Sequence, residues 1–137
     1  MANSYQLDIV TPERILLSEA AVETIAPGSE GYLGILAGHA DLMTTLEPGE
    51  VTVTFADGRT TSHIVIGGGF LEVSPTKTTI LADSAERIDE IDVSRAERDL
   101  EEARRMLDGA ALGSKEALAA KRANSLAETR IRLGRGR

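Results

Sequence analysis

All four prolines of this chain, Pro12, Pro27, Pro48 and Pro75, lie in its first 75 residues, and none follows. That asymmetry restricts the available folds more than any other feature. Proline fixes φ and has no N–H to donate, so it divides a chain into short runs and is kept out of helix interiors. The sequence up to residue 86 reads as short strands separated by turns, and residues 94–137 read as helices. Charge divides at the same place. Residues 1–93 carry four Lys/Arg against fifteen Asp/Glu, a balance of −11, while residues 94–137 carry eleven against seven, or +4. The two sum to the −7 of the whole chain. Residues 87–93 form an acidic joint between a β-module over 1–86 and a helical module over 94–137.

Alternation places the strands. Tyr5, Leu7 and Ile9 alternate with Gln6 and Asp8, the period of a half-buried strand. Residues 15–26 form a weaker β-run, with a bulge or corner at Ser18-Glu19-Ala20-Ala21. Pro27 to Gly31 is a turn, residues 32–36 a short apolar strand, 37–41 a loop and 42–46 another strand. Glu47-Pro48-Gly49-Glu50 fits a type II turn, with Pro presetting φ and Gly supplying φ > 0. Val51 to Phe55 alternates, Asp57-Gly58 signals a hairpin, and residues 60–66 return. Gly67-Gly68-Gly69 then interrupts before 70–73 and 78–82, which flank a turn at Ser74–Lys77. Many short strands with no helix between them specify an antiparallel sandwich or barrel.

In the helical module, Ser94-Arg95-Ala96-Glu97 matches a capping box. Ala96, Leu100, Ala103 and Leu107 line one face of a first helix. Residues 109–113 form a short connection, Ser114 is the expected cap of a second helix, and Ala119, Ala123, Leu126 and Leu133 form its stripe. The short loop predicts an antiparallel hairpin. Both stripes are narrow and Ala-rich, and isolated helices are marginal in water up to about 12–15 residues. The hairpin therefore needs a further surface and is expected to be the mobile half.

The residues argue against several function classes. Two Tyr, two Phe and no Trp leave no aromatic platform for single-stranded nucleic acid, and the acidic β-module suits no polyanion. With no Cys there is no thiolate nucleophile or disulfide. No apolar run reaches the roughly 20 residues of a membrane helix, and the first residues lack a secretory pattern. His39 and His63 are too few for zinc without further ligands. The glycine triplet leads into a strand, not onto a helix N-terminus, so it marks a bulge or close backbone approach and not a phosphate loop. Asp83, Glu86, Asp89, Glu90 and Asp92 read as solvated charge near a helix start. Glu101 and Arg105 fit an i,i+4 pair. No metal, cofactor or independent catalysis is expected.

In order, these pieces resemble the epsilon subunit family of F-type ATP synthases. Tyr5-Gln-Leu-Asp-Ile-Val-Thr-Pro12 is similar to its opening strand. Gly28-Ser-Glu-Gly-Tyr-Leu-Gly-Ile-Leu-Ala-Gly-His-Ala-Asp-Leu42 is similar to its signature region, with Ala37 and Asp41 where prolines are usual. Pro48-Gly49, residues 67–73 and Ile80-Leu-Ala-Asp83 follow in place, and Ile91-Asp-Val-Ser-Arg-Ala96 resembles the joint motif.

The resemblance implies a sandwich of about ten strands followed by a two-helix hairpin. It implies a non-catalytic rotor subunit bound to gamma and to the c ring of Fo, peripheral to the cytoplasmic face of a bacterial inner membrane. It assigns the c-ring and gamma contact to Ser29, Glu30, Gly31 and His39. The hairpin would meet an acidic segment of beta in the alpha/beta hexamer through Arg98, Arg104, Arg105, Lys121 and Arg122, and so restrain ATP hydrolysis. In members that bind ATP, the matching positions are Asp92, Arg95 and Arg122, while Glu102 and Leu126 depart from the pattern. The reading that needs no resemblance is a stand-alone β-sandwich protein-binding module with a mobile helical tail.

Overall fold

A computed structural model describes residues 3–136, so Met1, Ala2 and Arg137 of the ranges above lie outside it. The chain forms strands β1 (Tyr5–Val10), β2 (Ile15–Gly28), β3 (Gly31–Leu36), β4 (Leu42–Phe55), β5 (Thr61–Val73), β6 (Lys77–Ala82) and β7 (Ala85–Arg87). A 3-10 turn at Ile88–Glu90 leads to helices α1 (Val93–Gly109) and α2 (Lys115–Gly136).

Among the described residues there are seven strands, not ten, because three of them are long. β2 pairs with β1 through residues 15–21, with β4 from Ala21 onward and with β3 from Glu23 onward, its register on β4 slipping between Ala21 and Glu23. β4 and β5 run side by side along nearly their whole length, with β7 on one half of β5 and β6 on the other. β2, β4 and β5 each contribute to both layers. The expected type II turn at Pro48-Gly49 is absent: both residues stay inside β4, opposite Gly67 and Ile66. Here the chain bends without reversing. Gly49 suits the bend because a Cβ there would come 3.0 Å from both the Pro27 side chain and the Tyr32 hydroxyl.

The sheet is also not wholly antiparallel. β1 and β6 pair in parallel, which closes the ring β1–β6–β5–β4–β2–β1 and leaves β3 and β7 at its edges. Leu7, Ile9, Ile35, Leu46, Val51, Ile64, Ile66, Leu71 and Ile80 fill the space within, all essentially inaccessible. This aliphatic core is where period-two alternation directs them. Tyr5 is the buried aromatic; its hydroxyl meets Thr24 Oγ1 at 2.6 Å and donates to the Ile35 carbonyl at 3.1 Å. Local chemistry fixes two turns as expected. Asp57 Oδ1 accepts from the Arg59 and Thr60 amides beside Gly58 (φ 72°), and Ser74 and Lys77 exchange backbone bonds.

The helices are antiparallel, and α2 lies against β4 and β5 while α1 packs on α2. Asp92, not Ser94, caps α1: its Oδ1 accepts from the Arg95 amide at 3.0 Å. The helix thus starts earlier than the Ser94–Glu97 box required, and Asp92 takes the Arg95 amide where that box would have taken the Glu97 amide. Ser114 caps α2 through the Ala117 amide, as expected. Ala96 and Ala103 of α1 are buried as expected, but α2 buries Ala117, Ala120, Ala127 and Gly134 and leaves Ala119 and Ala123 exposed. Spacings of three and seven make a seam that lets the helix axes approach closely. Arg105 pairs with Glu102 at i−3, not with Glu101.

Candidate functional site

The chemistry-bearing side chains converge where α2 crosses the glycine triplet of β5. Val65 is fully buried although it faces away from the sandwich core, and it shares a cavity of about 210 Å³ with Ser84, Leu126 and Arg130. A Cβ on Gly67 would strike the Ser84 hydroxyl and lie 3.3 Å from Leu126; one on Gly68 would strike the Arg122 guanidinium. Gly68 and Gly69 hold φ values of 93° and 150°, where a side chain is strained. The triplet is therefore a flattened seat for the helix, which is the close approach expected of it.

Ion pairs rim the seat. Arg130 Nε donates to Glu86 Oε1 at 2.5 Å and its Nη1 to Asp99 Oδ2 at 3.2 Å, tying the sandwich, α1 and α2 through one guanidinium. Arg122 reaches Glu47 at 3.4 Å, and Arg135 pairs with Glu97. At the joint, Arg14 grips Glu90 with both terminal nitrogens. That contact, with the Arg87 amide, holds the Glu90 carboxyl below the usual carboxylate range. Three of the five acids in the run 83–92 thus have structural roles, Glu86 and Glu90 pairing with arginines and Asp92 capping α1, while Asp83 and Asp89 are exposed. Among the described residues, no three His, Asp or Glu are arranged to hold a metal ion.

The residues singled out by sequence are dispersed. Asp92, Arg95 and Arg122 do not meet in one pocket. Arg95 lines the 210 Å³ cavity, Asp92 is turned to its own helix, and Arg122 lines a separate groove with Glu47 and Phe70. The cavity is smaller than the roughly 300 Å³ of a typical ligand pocket. Its Arg95 and Arg130 are balanced by Glu86 and Asp99. Ser29, Glu30 and Gly31 form the exposed β2–β3 turn, whereas His39 lies in the loop at the far end of β3, where Gly38 bonds the Pro75 carbonyl. Arg98, Arg104, Arg105 and Lys121 are exposed on the hairpin, and Arg122 is half-buried. His63, an exposed strand residue, meets Glu50 at 2.6 Å. Sequence reading missed Arg130, whose importance rests on three elements brought together only by folding.

The fold, a closed sandwich with a hairpin across one outer face, can be compared with known proteins. A family model described as the ATP synthase, Delta/Epsilon chain, beta-sandwich domain matches residues 4–88. The chain belongs to this ATP synthase delta/epsilon family. An ATP synthase epsilon chain of Brucella anthropi is 49% identical over 110 residues, covering 80% of this chain and 81% of that one. The epsilon chain of Brucella canis is 47% identical over the same shares. A chain in a cryo-EM structure of the Euglena gracilis mitochondrial ATP synthase OSCP/F1/c-ring superposes with a TM-score of 0.77 at 26% identity, covering 92% of this chain and 78% of that chain. A chain of the Tetrahymena thermophila mitochondrial ATP synthase central stalk and c ring shares the fold alone, with a TM-score of 0.69 at 16% identity over 97% and 98% of the two chains. Membership covers the sandwich by family model and reaches into the hairpin through the Brucella chains.

Proposed function

We propose that this epsilon-family chain is a non-catalytic rotor subunit of an ATP synthase, coupling a c ring to gamma through its sandwich, with the hairpin acting as a brake on ATP hydrolysis. The carrying observation is the match of the sandwich to the family model together with near 50% identity to bacterial epsilon chains. The exposed Ser29-Glu30-Gly31 turn is the c-ring contact on this reading, and His39, at the opposite end of β3, belongs to a second contact. The protein then sits peripherally on the membrane, at the cytoplasmic face in a bacterium, through its complex; none of its described helices is long and apolar enough to cross.

The docking of the hairpin supports a brake that can be released. The seam is built from alanines and a few ion pairs, and exposed Arg98, Arg104 and Lys121 are left to meet an acidic surface of the catalytic hexamer. The test is ATP hydrolysis by F1 stripped of its own epsilon chain, with the full chain and with a version ending at Val93 added in turn. Inhibition by the full chain alone supports the brake. Binding of both without inhibition leaves the coupling role and removes the brake. Failure of both to bind overturns the reading.

A further inference from the structure

The joint between the two modules is fastened on one side only. Up to Glu90 the chain is bound to the sandwich. Arg14 holds the Glu90 carboxylate with both terminal nitrogens, the Arg87 amide donates to Glu90 Oε1 at 2.8 Å, and Arg87 Nη2 donates to the Leu16 carbonyl at 2.8 Å. From Val93 onward the chain is helix. Between the two stand Ile91 and Asp92, both with extended dihedrals. Hinge motions are absorbed by a few residues at the ends of elements. A swing of the hairpin off its seat therefore turns on Ile91 and Asp92.

The last turn of α2 closes over that point. Gly109, Gly134 and Gly136 are all helical. A Cβ on Gly109 or Gly136 would meet nothing within 4 Å, but one on Gly134 would come 2.7 Å from Val93 Cγ2 and 3.0 Å from Ile91 Cγ2. Glycine weakens a helix, and at this position its missing side chain is what lets α2 lie on the joint. Ile91 and Gly134 are buried against each other. The next residue, Arg135, pairs with Glu97 of α1. Charge favours the same closure, because Arg132 and Arg135 approach a joint that carries Asp89, Glu90 and Asp92. Ile131 and Leu133 are only half-buried, so the contact is close in fit and small in area. We infer that the last turn of α2 is a clasp on the hinge: Gly134 and Arg135 hold Ile91–Asp92 shut, and the hairpin reaches the catalytic hexamer only when this turn lifts. The second half of that statement rests on the brake proposed above; the first does not.

The chain has no cysteine, and the Gly134 Cβ position lies 3.5 Å from Ile91 Cβ, within the span of a disulfide. The test compares the full-length double variant Ile91→Cys/Gly134→Cys with itself, oxidised and reduced, so that the effects of the substitutions cancel. The readout is amide exchange at Ala120, about 21 Å along α2 from the clasp. It is expected to be at least about tenfold slower in the oxidised form. Gly134→Leu should accelerate it about tenfold and Arg135→Glu severalfold, with Glu97→Arg restoring the latter. Exchange at Leu7 and Ile80 reports that the sandwich is folded. On F1 stripped of its epsilon chain, the oxidised variant should bind without inhibiting ATP hydrolysis, and the reduced one should inhibit. Equal exchange at Ala120 in the two forms means that the hairpin opens from its tip, and overturns the clasp whatever becomes of the brake. Full inhibition by the oxidised form also overturns the inference, since braking then needs no swing. Slower exchange on oxidation, with no inhibition by either form or by wild type, sustains the clasp and overturns the brake.

Discussion

Arg130→Met removes a guanidinium that ties all three parts of the molecule while keeping an unbranched stem over Val65. Its magnitude can be built from exposure. The Arg130 and Glu86 side chains are 14% and 22% exposed, so their charge-assisted bond contributes about 1.5 kcal/mol. Asp99 is 51% exposed and adds about 0.5 kcal/mol. The sum, about 2 kcal/mol, is about a 30-fold shift toward an undocked hairpin. Once undocked, helices with so little apolar seam fray, so amide exchange in α2 reports docking. Exchange around Ala127 is expected to accelerate about 30-fold, with amides of Leu7, Ile9 and Ile80 unaffected. Glu86→Gln alone should give most of that effect, and the double variant little more than Arg130→Met. If α2 exchange changes less than threefold in Arg130→Met, the guanidinium does not hold the hairpin and the docking argument fails.

Three other outcomes follow from local geometry. Gly69→Ala places a Cβ against the Leu81 carbonyl at a φ of 150°, and should cost about 2–3 kcal/mol in a denaturant titration. Asp92→Ala should cost about 1 kcal/mol and Ser94→Ala a few tenths at most, read from thermal unfolding, since only the former removes the cap of α1. The Asp57 carboxyl is pulled down to about 2 by the Thr60 hydroxyl, then by the Arg59 and Thr60 amides. A depressed carboxylate stabilises the fold above its ordinary range, and that contribution disappears as pH falls through about 2. Asp57→Asn should therefore flatten the acid limb of the stability profile between pH 4 and 2.

What the sequence disclosed depends on the range of the forces involved. Asp57-Gly58 and Ser74–Lys77 were legible because each turn is closed by its own residues. Pro48-Gly49 was not: proline and glycine favour a bend, but whether the chain reverses or continues is decided by pairing with β5 and by Pro27 and Tyr32 pressing on Gly49. The parallel contact of β1 with β6 joins residues some seventy positions apart, which no local pattern encodes. In α2 nearly every face offers a small residue, so alternation could not choose Ala117, Ala120, Ala127 and Gly134 over Ala119 and Ala123; α1 chose. The basic character of the hairpin was plain, but the unequal roles of its arginines were not. Arg130 is bound into the structure, while Arg98 and Arg104 stand clear.

β2, β4 and β5, each shared between both layers, impose an order on folding. Neither layer can be completed while the other is missing, because each borrows half of the same three strands. Partial assembly would leave long strands with one half paired and the other bare. The entropy of bringing together residues as distant as β1 and β6 must be met before the shared strands return it. The sandwich should thus form in a single, comparatively slow cooperative event, with α2 closing onto Gly67 and Gly68, and α1 onto α2, only after that seat exists.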